Sequence, residues 1–137
     1  MADTVSVEYV YNGQRRKVLD LNNISDGTGE AAVIKADIST LTFGGQAAPN
    51  SFVPTYTTVD MIDFAIQGFA SVRLYWDHTT DDEIAILPAG VGTIYYNATG
   101  GKTDPKTNGG TGDILLTTAG GASGATYHVI VYFRGHP

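Results

Sequence analysis

The chain has 137 residues and a mass of 14.5 kDa; 42% of its residues are hydrophobic, only 16% are charged, and it contains 17 glycines and no cysteine. A single domain of this size buries a substantial core, while the lack of cysteine excludes a disulfide framework or thiol nucleophile and suits assembly in a reducing cytoplasm. A formal charge of −6 with 8 Lys and Arg in all argues against nucleic-acid binding, which needs clustered cations on phosphates.

In chain order, Val5, Val7, Tyr9 and Tyr11 alternate with polar residues and predict a first strand over 4–11. Asn12-Gly13 predicts a two-residue hairpin turn, followed by a second strand over 15–22 carrying Val18, Leu19 and Leu21. Residues 22–30 read as a loop and 32–36 as a third strand. Residues 39–58 are irregular; Pro49 and Pro54 argue against a central strand there, and Phe43, Phe52 and Tyr56 read as exposed aromatics that cover a core edge or touch a partner. Three strands over 60–67, 71–76 and 83–87 form a predicted antiparallel meander, with Gly68 as a hinge and 77–82 as a polar turn. A short strand follows over 91–96, then a flexible surface segment over 97–112, a strand over 113–118 and a last strand over 126–134. Both faces of that last strand are apolar, which predicts a central position.

Eight or nine short strands without a helix longer than a turn predict one all-β domain over 1–137, an antiparallel two-sheet β-sandwich of jelly-roll-like order. The first residues carry Asp3 where a signal peptide carries positive charge, and no apolar run approaches the roughly 18 residues of a membrane span.

Chemistry-bearing patterns are sparse. Asp77, His78, Asp81, Asp82 and Glu83 crowd oxygen donors into one turn, but without the spacing of a calcium loop; a hydrated turn is the expectation. His78, His128 and His136 do not fall at a zinc-ligand spacing. No serine sits in a nucleophile elbow. The carboxylate pairs Asp60/Asp63 and Asp81/Glu83 are expected on solvent faces. Gly101-Lys102-Thr103 lacks the upstream glycine of a phosphate loop, since position 96 is Tyr. The expectation is a protein that is not an enzyme, with no catalytic residue, cofactor or metal. What stands out is 8 Tyr and 5 Phe, residues suited to contact surfaces or to stacking on sugars.

The segments SVRLYWD at 71–77, DEIA at 82–85, GGTGDILLTT at 109–118 and LNNISDGTGE at 21–30 resemble those of small virion structural proteins of tailed bacteriophages, over most of residues 18–134. The resemblance implies a β-sandwich that binds the outside of an assembled head as a decoration or cement protein. The segment 43–58 and Tyr95-Tyr96 depart most from that pattern. The expectation that follows is a virion protein assembled in the host cytoplasm, whose partners are the major capsid protein and copies of itself, a trimer first, with no nucleic acid and no membrane. Phe43, Phe52, Tyr56, Arg15, Arg16 and Lys17 are the expected contact residues. Alternative readings are a carbohydrate-binding module used in host attachment and a structural protein of the tail or neck.

Overall fold

The computed structural model describes residues 4–12, 16–44, 51–105 and 110–136. Ten strands follow in order: β1 (Thr4–Asn12), β2 (Lys17–Asp26), β3 (Val33–Ala36), β4 (Phe43–Gly44), β5 (Ser51–Phe52), β6 (Tyr56–Trp76), β7 (Asp82–Tyr95), β8 (Lys102–Thr103), β9 (Ile114–Ala119) and β10 (Ser123–His136). Single 3-10 turns lie at Ile38–Thr40 and Asn97–Thr99. Among the described residues no helix is long and apolar enough to cross a membrane.

Eight strands belong to one antiparallel sheet in the order β1-β2-β10-β6-β9-β3, with β7 and β8 also paired to β6; β4 and β5 form a separate two-residue ladder. β10 lies between β2 and β6, as its two apolar faces predict. Several boundaries differ from expectation. Asn12 pairs with Lys17 at the end of the β1–β2 ladder, and the predicted turn at Asn12-Gly13 runs into residues outside those described. β2 continues through the predicted loop to Asp26, because the inward polar residues Asn23 and Ser25 find partners: Asn23 Nδ2 donates to Glu30 Oε1 and Ser25 Oγ to the Thr28 carbonyl. Tyr56, Thr57 and Thr58, predicted to be irregular, are the start of the central strand β6, entered directly from the buried Pro54.

The predicted meander is two long strands. β6 fuses the segments 60–67 and 71–76, and β7 fuses 83–87 and 91–96, with Pro88 inside. Pro88 is tolerated because the β6–β7 register shifts there, between the pairs Ile66↔Gly90 and Ser71↔Pro88. At the same place the other neighbour of β6 changes, from β10 along 56–67 to β9 along 71–76. Gly68 permits this switch with φ of +87°, and a Cβ on it would stand 2.8 Å from Ala125 Cβ.

The hairpin also folds over. A 21-residue straight strand spans about 70 Å, yet Trp76 Nε1 donates to Thr57 Oγ1 at 3.0 Å within β6, and the Tyr96 hydroxyl donates to the Ile84 carbonyl at 3.0 Å at the ends of β7. The sheet is thereby nearly closed into a barrel-like shape. Its inner face is one hydrophobic cluster, with Leu19, Leu21, Ile62, Val129, Val131 and Phe133 from one half of the sheet and Val72, Leu74, Trp76, Ile84, Leu87 and Leu116 from the other. Each large aliphatic or aromatic side chain buried there contributes about 1.5–3 kcal/mol.

The buried carboxylates of Glu30 and Asp60 are paired. Glu30 accepts from the Tyr127 hydroxyl and from Lys35 Nζ, joining the loop after β2 to β10 and β3. The Asp60 carboxylate, buried, is held by two nitrogens of Arg134. Such pairing is what makes charge tolerable away from water.

Candidate functional site

Strand alternation sends every second residue of β2, β10, β6 and β7 outward, and the registers align them in rows. One row is Asn22, His128, Ala65 and Val91; the next is Asp20, Ile130, Asp63 and Thr93; the third is Val18, Tyr132, Met61 and Tyr95. The middle row is acidic and bonded both within itself and to its neighbours: Asp20 meets His128 Nε2 of the first row at 2.6 Å, and Asp63 accepts from Thr93 Oγ1 at 2.6 Å and from the Tyr132 hydroxyl of the third row at 3.3 Å. Burial, and after it the Asp63 carboxylate, push the Tyr132 phenol pKa upward. Apolar groups flank this row. Val91 is 87% exposed, Tyr95 66% and Ile24 55%, and grooves of about 260 Å³ beside Val91 and Ile130 and about 330 Å³ beside Ile24 and Thr126 meet at His128.

The expected contact residues do not share one surface. Phe43 is 1% exposed and Lys17 3% exposed; Phe43 packs edge-on against Phe133, and Lys17 Nζ lies 4.6 Å above the Phe43 ring. The exposed placement expected of Phe43 is therefore corrected, because the β4–β5 ladder folds over the end of the core and brings this ring inside. Desolvation lowers the Lys17 pKa. Tyr56 is half-buried, stacked on His136 at 4.6 Å, and burial followed by the neighbouring Arg134 charge lowers the His136 pKa. Arg16 is exposed, with Nε 3.8 Å from Asp60 Oδ2. Arg15 and the side chain of Phe52 lie outside the described residues.

The turn at 77–82 exposes Thr79, Thr80 and Asp81, as its composition suggests, but buries His78. His78 N donates to Asp81 Oδ1, as expected of a turn carboxylate, but the imidazole is buried and its Nε2 lies 2.6 Å from Asp104 Oδ1. Asp104 itself is 3% exposed although the segment around it reads as surface. Its backbone N–H bonds to the Thr57 carbonyl, and Asp77 is tied across to the 111–113 stretch by Asp77 N to Asp113 O, Gly112 N to Asp77 O and Thr111 Oγ1 to Asp77 Oδ2. Asp82 Oδ2 approaches the same His78 Nε2 at 3.6 Å. One imidazole and two carboxylates thus converge, their donor atoms within 4.8 Å of one another. Histidine spacing gave no hint of this, because one carboxylate comes from a segment 26 residues away.

The remaining carboxylate pairs separate. Asp60 is buried on Arg134 while Asp63 stands on the outer face; Asp81 caps the turn, and Glu83 sits 3.9 Å from Arg73. Comparison with family models, with curated proteins and with solved structures yields no match.

Proposed function

We propose that this protein is a bacteriophage virion structural protein, a capsid decoration or cement protein that binds the outside of the head and stabilises it. In this reading the two halves of the folded sheet serve as the two layers of a jelly-roll-like sandwich. The observation that supports a binding role is the outer face of β2, β10, β6 and β7, where Val91, Tyr95 and Ile24 stand in water around a bonded acidic row. Scattered surface apolar residues are common, but Val91 and Ile24 border two adjoining grooves on a single sheet face, and Tyr95 stands two rows along the same ladder from Val91. The resemblance of segments 21–30, 71–77, 82–85 and 109–118 to virion proteins names the partner class.

The physics of such a role is mass action. A ligand that binds only the assembled shell stabilises it by the free energy of that binding, and symmetric copies multiply a modest contact. A trimer at a local threefold, touching the major capsid protein, is the arrangement proposed. The contact surface moves from the buried Phe43 and Lys17 to Val91, Tyr95 and Ile24, with Tyr56 and Arg16 still available.

The test uses particles lacking this protein. Re-added wild-type chain is expected to bind at a copy number set by the capsid lattice and to raise the temperature at which heads open, while the double substitution Val91→Glu, Tyr95→Ser abolishes binding without unfolding the chain. A copy number set by the tail would move the protein to the tail or neck. Saturable glycan binding by the isolated chain, with no binding to heads, would replace this reading with a carbohydrate-binding module.

A further inference from the structure

We propose that His78, Asp82 and Asp104 form a site for a divalent transition ion of the zinc type. The three side chains come from the β6–β7 turn, the first residue of β7 and the loop after β8, and their donor atoms lie within 4.8 Å of one another. Zinc takes His nitrogen and carboxylate oxygen at about 2.0–2.2 Å, so two ligands in a tetrahedral shell stand about 3.3 Å apart. His78 Nε2 and Asp82 Oδ2, at 3.6 Å, stand slightly wider than that separation, whereas His78 Nε2 and Asp104 Oδ1 are in hydrogen-bond contact at 2.6 Å. Binding therefore replaces that hydrogen bond with the ion, a neutral Nε2–H imidazole shifting its proton to Nδ1. The imidazole–Asp104 pair opens by about 0.7 Å, and a proton leaves whenever His78 was charged.

Charge and donor type select the ion. A neutral imidazole with two carboxylates carries −2, which a dication cancels where His78 and Asp104 are withdrawn from water at 5% and 0% side-chain exposure. Calcium wants six to eight oxygens at longer distances; one nitrogen and two oxygens fit zinc, with water at the fourth position on the side of Asp82, whose side chain is 22% exposed. The surroundings hold the ligands in place. A Cβ at Gly110 would stand 2.5 Å from both the Asp77 carbonyl oxygen and His78 Cα, so the 110–113 backbone lies directly against the turn, and Asp104 is anchored through its N–H to Thr57. The ion would fasten the turn end of the β6–β7 hairpin to the loop after β8.

The full chain, stripped with chelator, is titrated with zinc chloride by calorimetry and with cobalt(II), whose visible absorption reports nitrogen–oxygen coordination. One ion per chain is expected, with a rise in unfolding temperature and loss of the pH titration of the His78 ring in NMR spectra. Asp82→Asn, at a partly exposed position, keeps the fold and weakens binding more than about tenfold; His78→Gln and Asp104→Asn abolish it. Absence of saturable binding by wild-type protein, leaving a hydrogen-bonded pair only, overturns the proposal, as does an affinity unchanged by Asp82→Asn.

Discussion

The indole Nε1 of Trp76 donates to Thr57 Oγ1 at 3.0 Å although both residues belong to β6 and stand 19 positions apart. In an extended strand they would be separated by about 60 Å. The bond therefore measures how far the β6–β7 hairpin folds back on itself, and it does so deep inside, with Thr57 at 0% and Trp76 at 1% exposure.

Thr57→Val keeps the side-chain shape and removes the acceptor, leaving a buried indole N–H without this partner. The expected loss is about 1–3 kcal/mol, read as a lower urea midpoint at unchanged slope. Emission from the only Trp reports the transition. A midpoint equal to wild type would mean that the bond does not help close the sheet.

Gly68→Ala tests the switch point. Its φ of +87° costs an alanine about 1–2 kcal/mol, and the added methyl would meet Ala125 Cβ at 2.8 Å. A destabilisation of at least about 2 kcal/mol is expected from strain and overlap together. Gly124→Ala, at a φ of +92° but with nothing within 4 Å of its Cβ position, separates the two terms by showing the strain alone.

Lys35 and Glu30 form a buried ion pair, with side chains 1% and 8% exposed. Glu30→Gln deprives the ammonium of its counter-charge and is expected to cost about 3–5 kcal/mol. Adding Lys35→Met to that variant should restore much of the loss, a coupling read directly from a double-mutant cycle. Additive effects would show that the two groups are energetically independent.

Tyr9 gives a pH signature. Burial first, then Asp37 and Asp113, push its phenol up to about 12 from an ordinary value of 10.0. The unfolded chain thus loses this proton before the folded one, so the contribution of Tyr9 is complete below pH 10 and declines as pH rises toward 12. Denaturant titrations across this range should show a shallower alkaline decline in Tyr9→Phe than in wild type. Parallel curves would place Tyr9 in a watery environment instead.

Much of the strand pattern is legible in one dimension. Tyr127, Val129, Val131 and Phe133 alternate in the sequence and alternate inward in the sheet, because side-chain direction in a strand has a period of two wherever the strand goes. Local signals were less reliable at the breaks. Gly68 and Pro88 read as the ends of strands, but β6 exchanges β10 for β9 at Gly68, and β7 keeps β6 as its partner across a register shift at Pro88.

Readable in one dimension are the all-β, antiparallel class, most of the inward positions, and a balance of 8 Lys and Arg against 14 Asp and Glu. Tertiary structure alone decided that Phe43 and Lys17 are interior, that Val91 and Tyr95 are exposed, and that His78 meets Asp104. The physical reason is one of range. Alternation is imposed by neighbouring backbone units, whereas burial of a loop aromatic or the meeting of two loop side chains depends on where the folded β6–β7 hairpin brings distant segments, which no local periodicity encodes.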